Sequence, residues 1–284
     1  MGQVLINGMY SGVQYSLIAL GLTLIFSLMN VMNFAHGQLY VLGGFVTYYV
    51  YGVLGLPFPA ALLGAAATLA VVGVLFDVLL FRRVLARSAR DESTMLLACG
   101  SALLLDSLFI IFFGEKQRGV PPVVGGVLRI GEGIFLPYGR VLIVVLSVVL
   151  IVAFILFMAH TRWGRGLRAM AQDRDAARLM GVNVARYSML GWMIASVLAG
   201  LAGAMLVSVS GVNSGIGTWI SIKAFIMVMI GGAGAIPGAI IGGLVLGMLE
   251  SLGAQYMSGS QYLAIFVALI VFLAIRPRGL LGRQ

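Results

Sequence analysis

Charge is scarce in this chain. Only 10% of its 284 residues are Asp, Glu, Lys or Arg, where soluble domains carry about a quarter, which excludes an ordinary water-soluble domain. There is one cysteine, Cys99, inside an apolar run, so no disulfide can form within the chain. The two histidines, His36 and His160, stand far apart in sequence and make no metal-ligand cluster. No G-x-x-x-x-G-K-[ST] segment is present, so the chain cannot cradle ATP in that way. A GxSG serine motif and a paired-aspartate motif are also missing, which argues against an intramembrane enzyme. Basic residues exceed acidic ones, 18 to 9, but they sit in short connections between apolar runs. That is the pattern of membrane orientation and not of a nucleic-acid reader.

What the chain has in quantity is apolar length. Hydrophobic residues make up 61%, in runs of roughly 15 to 25 residues from Val4 to Ile275, each able to cross a hydrocarbon core about 30 Å thick. Backbone groups in lipid must be paired internally, which favours helices, and a barrel would need alternating segments of about ten residues. The expected fold is all-α: one polytopic transmembrane domain over residues 1–284, with eight to nine membrane-embedded helical segments. The spans fall near 4–31, 37–56, 58–81, 93–113, 141–159, 188–210, 219–235, 238–256 and 261–275. The first run lacks a basic leader and continues into more apolar sequence, so it reads as a retained helix.

Orientation follows from the arginines. Arg82, Arg83, Arg87 and Arg90 form one group, six arginines of 160–187 a second, and Arg276, Arg278 and Arg283 a third. All three groups, and with them the C-terminus, belong in the cytoplasm; the 114–140 loop, where Glu115 and Glu132 offset the basic residues, belongs outside. The 219–256 stretch must then enter and return. Its centre, GGAGAIPG from Gly231 to Gly238, holds glycines and Pro237 that interrupt a helix, so a tight hairpin turning on the cytoplasmic side is expected, with nine passes and an outer N-terminus. Met29 to Gln38, MNVMNFAHGQ, marks a special turn in the first half. That turn and the 219–256 hairpin each precede an inward span and an arginine cluster, which suggests two related halves. Gly200 with Gly203, Gly238 with Gly242 and Gly243 with Gly247 have the spacing of close helix packing.

The polar segment His160 to Tyr187 contains Arg162, Arg165, Arg168, Arg174, Arg178 and Arg186 against Asp173 and Asp175. Asp173 can cap a short helix, Asp175 suits its first turn and Arg178 its last, and Gly181 with Asn183 suits the stop. The result is a compact helix near Arg174 to Met180, exposing Ala176, Ala177, Leu179 and Met180. Such a helix fits either docking into a groove of another protein or an ordinary solvated loop.

Asp175-Ala176-Ala177, three residues, then Gly181 resembles the Glu-Ala-Ala loop of permease subunits of bacterial ABC importers, with Asp in place of Glu. Asn33-Phe34-Ala35-His36-Gly37 and the stretch from Gly231 and Gly232 through Pro237 and Gly238 to Gly242-Gly243 resemble the signature segments of the branched-chain amino acid permeases of the LivH type. The similarity runs from about Gly8 to Arg283. It implies that 160–187 carries a coupling helix seated in a cytoplasmic ATP-hydrolysing subunit, with Asp175, Ala176, Ala177 and Gly181 at that contact; charge adds Arg174 and Arg178. It implies further partners: a second permease subunit (LivM-like or identical), ABC ATPase subunits holding ATP and Mg, and a periplasmic substrate-binding protein. The setting is the bacterial inner membrane. No cofactor is expected in this chain.

Charges inside the membrane are functional candidates by default. Asp106 lies mid-span and needs a partner or water. Lys223 and Glu250, at the start and end of the hairpin, could pair, and Asp77 lies close enough to Arg82 to form an interfacial anchor. With Asn33, His36, Gly37, Gly231, Gly232 and Pro237, the residues Asp106, Lys223 and Glu250 are the candidates for the translocation pathway. In the outer loop, Val124 to Leu136 suits a small strand pair about Gly131-Glu132-Gly133, and Lys116, Arg118, Arg129 and Arg140 are candidates for docking the binding protein. The leading reading is the membrane subunit of an ABC importer for branched-chain or related hydrophobic amino acids. The second, an ion-coupled secondary transporter, would leave the Asp-Ala-Ala segment unexplained.

Overall fold

A computed structural model describes residues 1–87, 91–130, 134–256, 261–277 and 279–282. The helices are α1 (Gly2–Met29), α2 (His36–Thr47), α3 (Phe58–Leu75), α4 (Arg82–Arg87), α5 (Asp91–Phe113), α6 (Tyr138–His160), α7 (Arg162–Gln172), α8 (Arg174–Leu179), α9 (Val184–Ser210), α10 (Ile216–Gly231), α11 (Ile236–Tyr256) and α12 (Gln261–Ile275). Wider π-helical turns prolong α2 through Tyr48–Val53 and join α3 to α4 through Phe76–Phe81. Two short antiparallel strands, β1 (Val127–Ile130) and β2 (Ile134–Pro137), pair from Val127 opposite Pro137 to Ile130 opposite Ile134. This is the strand pair expected of the 114–140 loop; its turn, with Glu132, lies outside the described residues.

Among the described residues, six helical stretches are long and apolar enough to cross a membrane: Gly2–Met29, Phe58–Val84, Glu92–Phe113, Tyr138–His160, Val184–Ser210 and Ile236–Tyr256. α10 is a shorter apolar helix. The molecule is built around α1 and α9. The most apolar window of α1 is 78% buried and that of α9 61%, against 17% for the window in α5. Small residues make the central packing possible: a side chain on Gly243 would overlap the Ser16 backbone, and one on Gly247 the backbone of Gly12, so α11 lies directly along α1.

The ends of the helices sort onto two faces. On one, Gln3 at the start of α1 exchanges hydrogen bonds with Phe135 of β2, at 3.3 and 3.0 Å, and Arg118 and Val212 bridge backbone to backbone at 2.8 and 2.7 Å. On the other, Arg82 donates to the Ala185 carbonyl at 2.9 Å. There too the tail closes on the α10–α11 turn, Leu280 and Leu281 donating to the Ile230 and Gly231 carbonyls at 2.8 and 3.0 Å. The basic segments at 82–83 and 160–187 and the tail therefore share one face, and the N-terminus lies on the opposite one. Arg90, Arg278 and Arg283 fall outside the described residues.

The internal repeat differs from the sequence expectation. The α1–α2 break corresponds to the α9–α10 break, and not to the α10–α11 turn. Asn30 (φ 54°) matches Gly211 (φ 72°), buried Val31 matches Val212, and fully buried Asn33 matches Ser214. The packing obeys the same exchange: α1 lies along α11 as α9 lies along α3, and α2 packs on α9 as α10 packs on α1. The two halves run in opposite directions, an inverted arrangement. The second break was obscure in sequence because Gly211-Val-Asn-Ser-Gly215 reads as an ordinary short loop between two spans.

Candidate functional site

The polar segment folds as its capping residues dictate. Thr161 Oγ1 accepts from the Gly164 N–H at 2.9 Å and starts α7, whose Gly164, Leu167 and Met170 turn inward while Arg162, Arg165 and Arg168 face out. Asp173 Oδ1 then accepts from the N–H groups of Asp175 and Ala176, both at 2.9 Å, and starts α8. Gly181, at φ 85°, ends it. Asn183 caps α9 through the Arg186 N–H at 3.1 Å, so it begins the next helix instead of closing this one. One expectation is corrected. Ala177 is 4% exposed and faces the core, because α8 rests on the protein along that side. The projecting tip consists of Leu179 and Met180, 88% and 84% exposed, flanked by Asp175, Ala176 and Arg178. Arg174 lies half-buried at the rim of a cleft of about 610 Å³, which Asn30, Arg168, Gly234, Pro237 and Leu281 also line.

A buried polar cluster surrounds the start of α2. Asn33 Oδ1 accepts from the Ala35 N–H at 3.1 Å, and His36 Nε2 lies 3.1 Å from the Ile18 carbonyl of α1. Ser221 of α10 ties the two breaks together, donating to the Phe34 carbonyl at 2.7 Å and accepting from the Gly37 N–H at 2.8 Å. Gly37 is required here, since a side chain would overlap the Gly217 carbonyl. Asp106 of α5 accepts from Gln38 Nε2 at 3.3 Å.

Lys223 and Glu250 do pair, Nζ to Oε1, at 2.6 Å. Tyr15 completes a three-helix triad: it accepts from Lys223 at 2.8 Å and donates to the second carboxylate oxygen of Glu250. Asp77 is fully buried, held by Arg82 and by the hydroxyl of Ser188, both at 2.5 Å. Gln38, Ser221, Tyr15 and Ser188 were missed in the sequence; the available signal was a polar residue inside an apolar run. Among the described residues no group of three His, Cys, Asp or Glu could hold a metal ion.

Two of the pathway candidates are closely packed glycines. Gly231 is buried against the Gly238 backbone, and Gly232, at φ 100°, is buried against Leu281 and Gly282 of the tail. Pro237 is exposed at the cleft. In the 114–140 loop, Arg118 is engaged within the protein: it donates to the Phe113 carbonyl at 2.6 Å and to the Tyr49 hydroxyl at 2.9 Å. Arg140 donates to Asn7 Oδ1 at 3.0 Å and lies over the Tyr10 ring. Lys116 and Arg129 are exposed, the latter over Phe135.

Residues 4–276 match the family described as branched-chain amino acid transport system, permease component. The chain is 33% identical to the high-affinity branched-chain amino acid transport system permease protein BraD of Pseudomonas aeruginosa, over 99% of this chain and 95% of that one. It is 30% identical to the corresponding protein LivH of Escherichia coli, over 99% and 95%. Over 52% of this chain and 41% of the other, it is 31% identical to the fructose import permease protein FrcC of Rhizobium meliloti.

Proposed function

The chain belongs to the family of branched-chain amino acid transport system permease components, and on that premise we propose how its two faces divide the work. It forms half of the translocation pathway of an ABC importer that takes up branched-chain or related hydrophobic amino acids. The basic face, with the C-terminus, is cytoplasmic, in accord with the positive-inside rule. Nine passes then connect an outer N-terminus to an inner tail. α8 is the coupling helix: its Leu179–Met180 tip enters a cleft of the ATPase subunit, with Asp175, Ala176, Arg178 and Arg174 around it. Ala177 and Gly181 act one step back, fixing how α8 is presented. ATP and Mg are held by that partner. A second permease subunit, LivM-like or identical, completes the pathway, and a periplasmic binding protein delivers solute to the outer face, where Lys116 and Arg129 remain available to its acidic groups.

The observation that carries this reading is α8 itself. Two large apolar side chains stand almost wholly in solvent on a helix capped at both ends. Exposed apolar groups of that kind mark contact sites. Co-purification with the ATPase encoded beside this chain tests it. The wild type should retain the ATPase and a Leu179→Asp, Met180→Asp variant should lose it; retention by the variant would overturn the assignment.

A further inference from the structure

We infer that the start of α10, where it meets the start of α2, is a resting site for a hydrophobic amino acid in its zwitterionic form, held by its ammonium and carboxylate groups. This inference rests on the proposed function. α10 begins inside the protein, next to the start of α2, and no side chain caps its first N–H groups. Gly215 and Thr218 are exposed there, so the helix end is open. Such an end carries positive partial charge and free donors, a match for a carboxylate.

The second feature is independent of the helix end. Gln38 is fully buried, and its Oε1 lies against Gly217, at that helix end, without a hydrogen-bond partner. Its Nε2 is taken by Asp106, at 3.3 Å. Asp106 itself is a half-buried anion, and the ion pairs among the described residues, Arg82 with Asp77 and Lys223 with Glu250, leave it without a cation. An ammonium group would supply both the charge that Asp106 lacks and the donor that Gln38 Oε1 lacks. Phe34, which precedes the start of α2 and packs on Phe225 at 4.6 Å between ring centroids, offers an apolar wall for the side chain. Charge of both signs beside an apolar wall, where two interrupted helices meet, suits a hydrophobic α-amino acid.

The test uses the intact transporter, purified with its second permease subunit and ATPase but without the binding protein. Saturation-transfer NMR would compare L-leucine with 4-methylpentanoate, which lacks the ammonium, and isopentylamine, which lacks the carboxylate. Leucine is expected to bind more strongly than either analogue and to bind about tenfold more weakly in Asp106→Asn, with partial recovery in Asp106→Glu. The Asn variant keeps an acceptor for Gln38, and its co-purification with the ATPase reports on folding. Equal binding of the three compounds, no binding of any, or a leucine signal indifferent to Asp106→Asn would overturn the site. Uptake into proteoliposomes with the binding protein separates the two levels. If the wild type imports hydrophobic amino acids and Asp106→Asn imports them equally well, this site is wrong and the proposed function stands; if the wild type imports none, the proposed function itself fails.

Discussion

Replacing Glu250 by Gln removes one charge from the Lys223–Glu250–Tyr15 triad and almost no volume. Lys223 and Glu250 are 12% and 19% exposed, so the ammonium would lose this carboxylate in a largely desolvated setting. Breaking a buried pair costs about 3–5 kcal/mol when one partner is deleted. The amide oxygen and the Tyr15 hydroxyl still accept from Lys223, and some water reaches the site, so about 2 kcal/mol is expected. For a chain of this size that lowers the apparent thermal midpoint by roughly 4 °C. The assay is a double-mutant cycle on detergent-solubilised protein, with folded material scored by size-exclusion chromatography after heating. Lys223→Met combined with Glu250→Gln should be more stable than Glu250→Gln alone, because no desolvated cation that has lost its carboxylate remains, giving a coupling of about 1.5 kcal/mol. If the two single effects simply add, the triad does not hold α1, α10 and α11 together, and the reasoning about its burial is wrong.

Further outcomes follow from other contacts. The Leu179→Asp, Met180→Asp variant that should release the ATPase is expected to change the thermal midpoint by no more than about 1 °C, since both side chains are solvent-exposed; a large loss would mean the tip is packed. Asp173→Ala removes the α8 cap and should cost about 1 kcal/mol locally, seen as faster hydrogen exchange at residues 175–180 with little change elsewhere. Gly247→Leu would drive a side chain into the Gly12 backbone, and should abolish accumulation of folded protein, read by the monodisperse peak after extraction. Arg118→Ala should destabilise by about 2 kcal/mol through its lost charged hydrogen bonds, whereas Arg129→Ala should leave stability within about 0.5 kcal/mol; thermal midpoints of the two variants decide between a structural and a docking role.

Much of the fold was legible in the sequence, because lipid narrows the choices. Each apolar run read from the sequence coincides with a helical segment, since a long run without charge has no other way to pair its backbone. Capping chemistry is equally local: Asp173 and Gly181 bound α8 as their side chain and φ require. The arginine-rich segments could be assigned to one face by counting, and the Arg82–Ala185 bond joins two of them there.

Position in depth and direction of burial were another matter. Ala177 and Leu179 lie two residues apart in one helical turn, yet one is buried and the other almost free, a difference set by what α8 rests on. Asp106 found its partner in Gln38, and Lys223 and Glu250 found Tyr15. The sequence alone determined a helical membrane chain with one basic face and a capped surface helix on it, because spans, charges and caps act within a few residues. Tertiary structure decided which breaks correspond, which glycines pack and where Asp106 sits, because those depend on helices meeting from opposite ends of the chain.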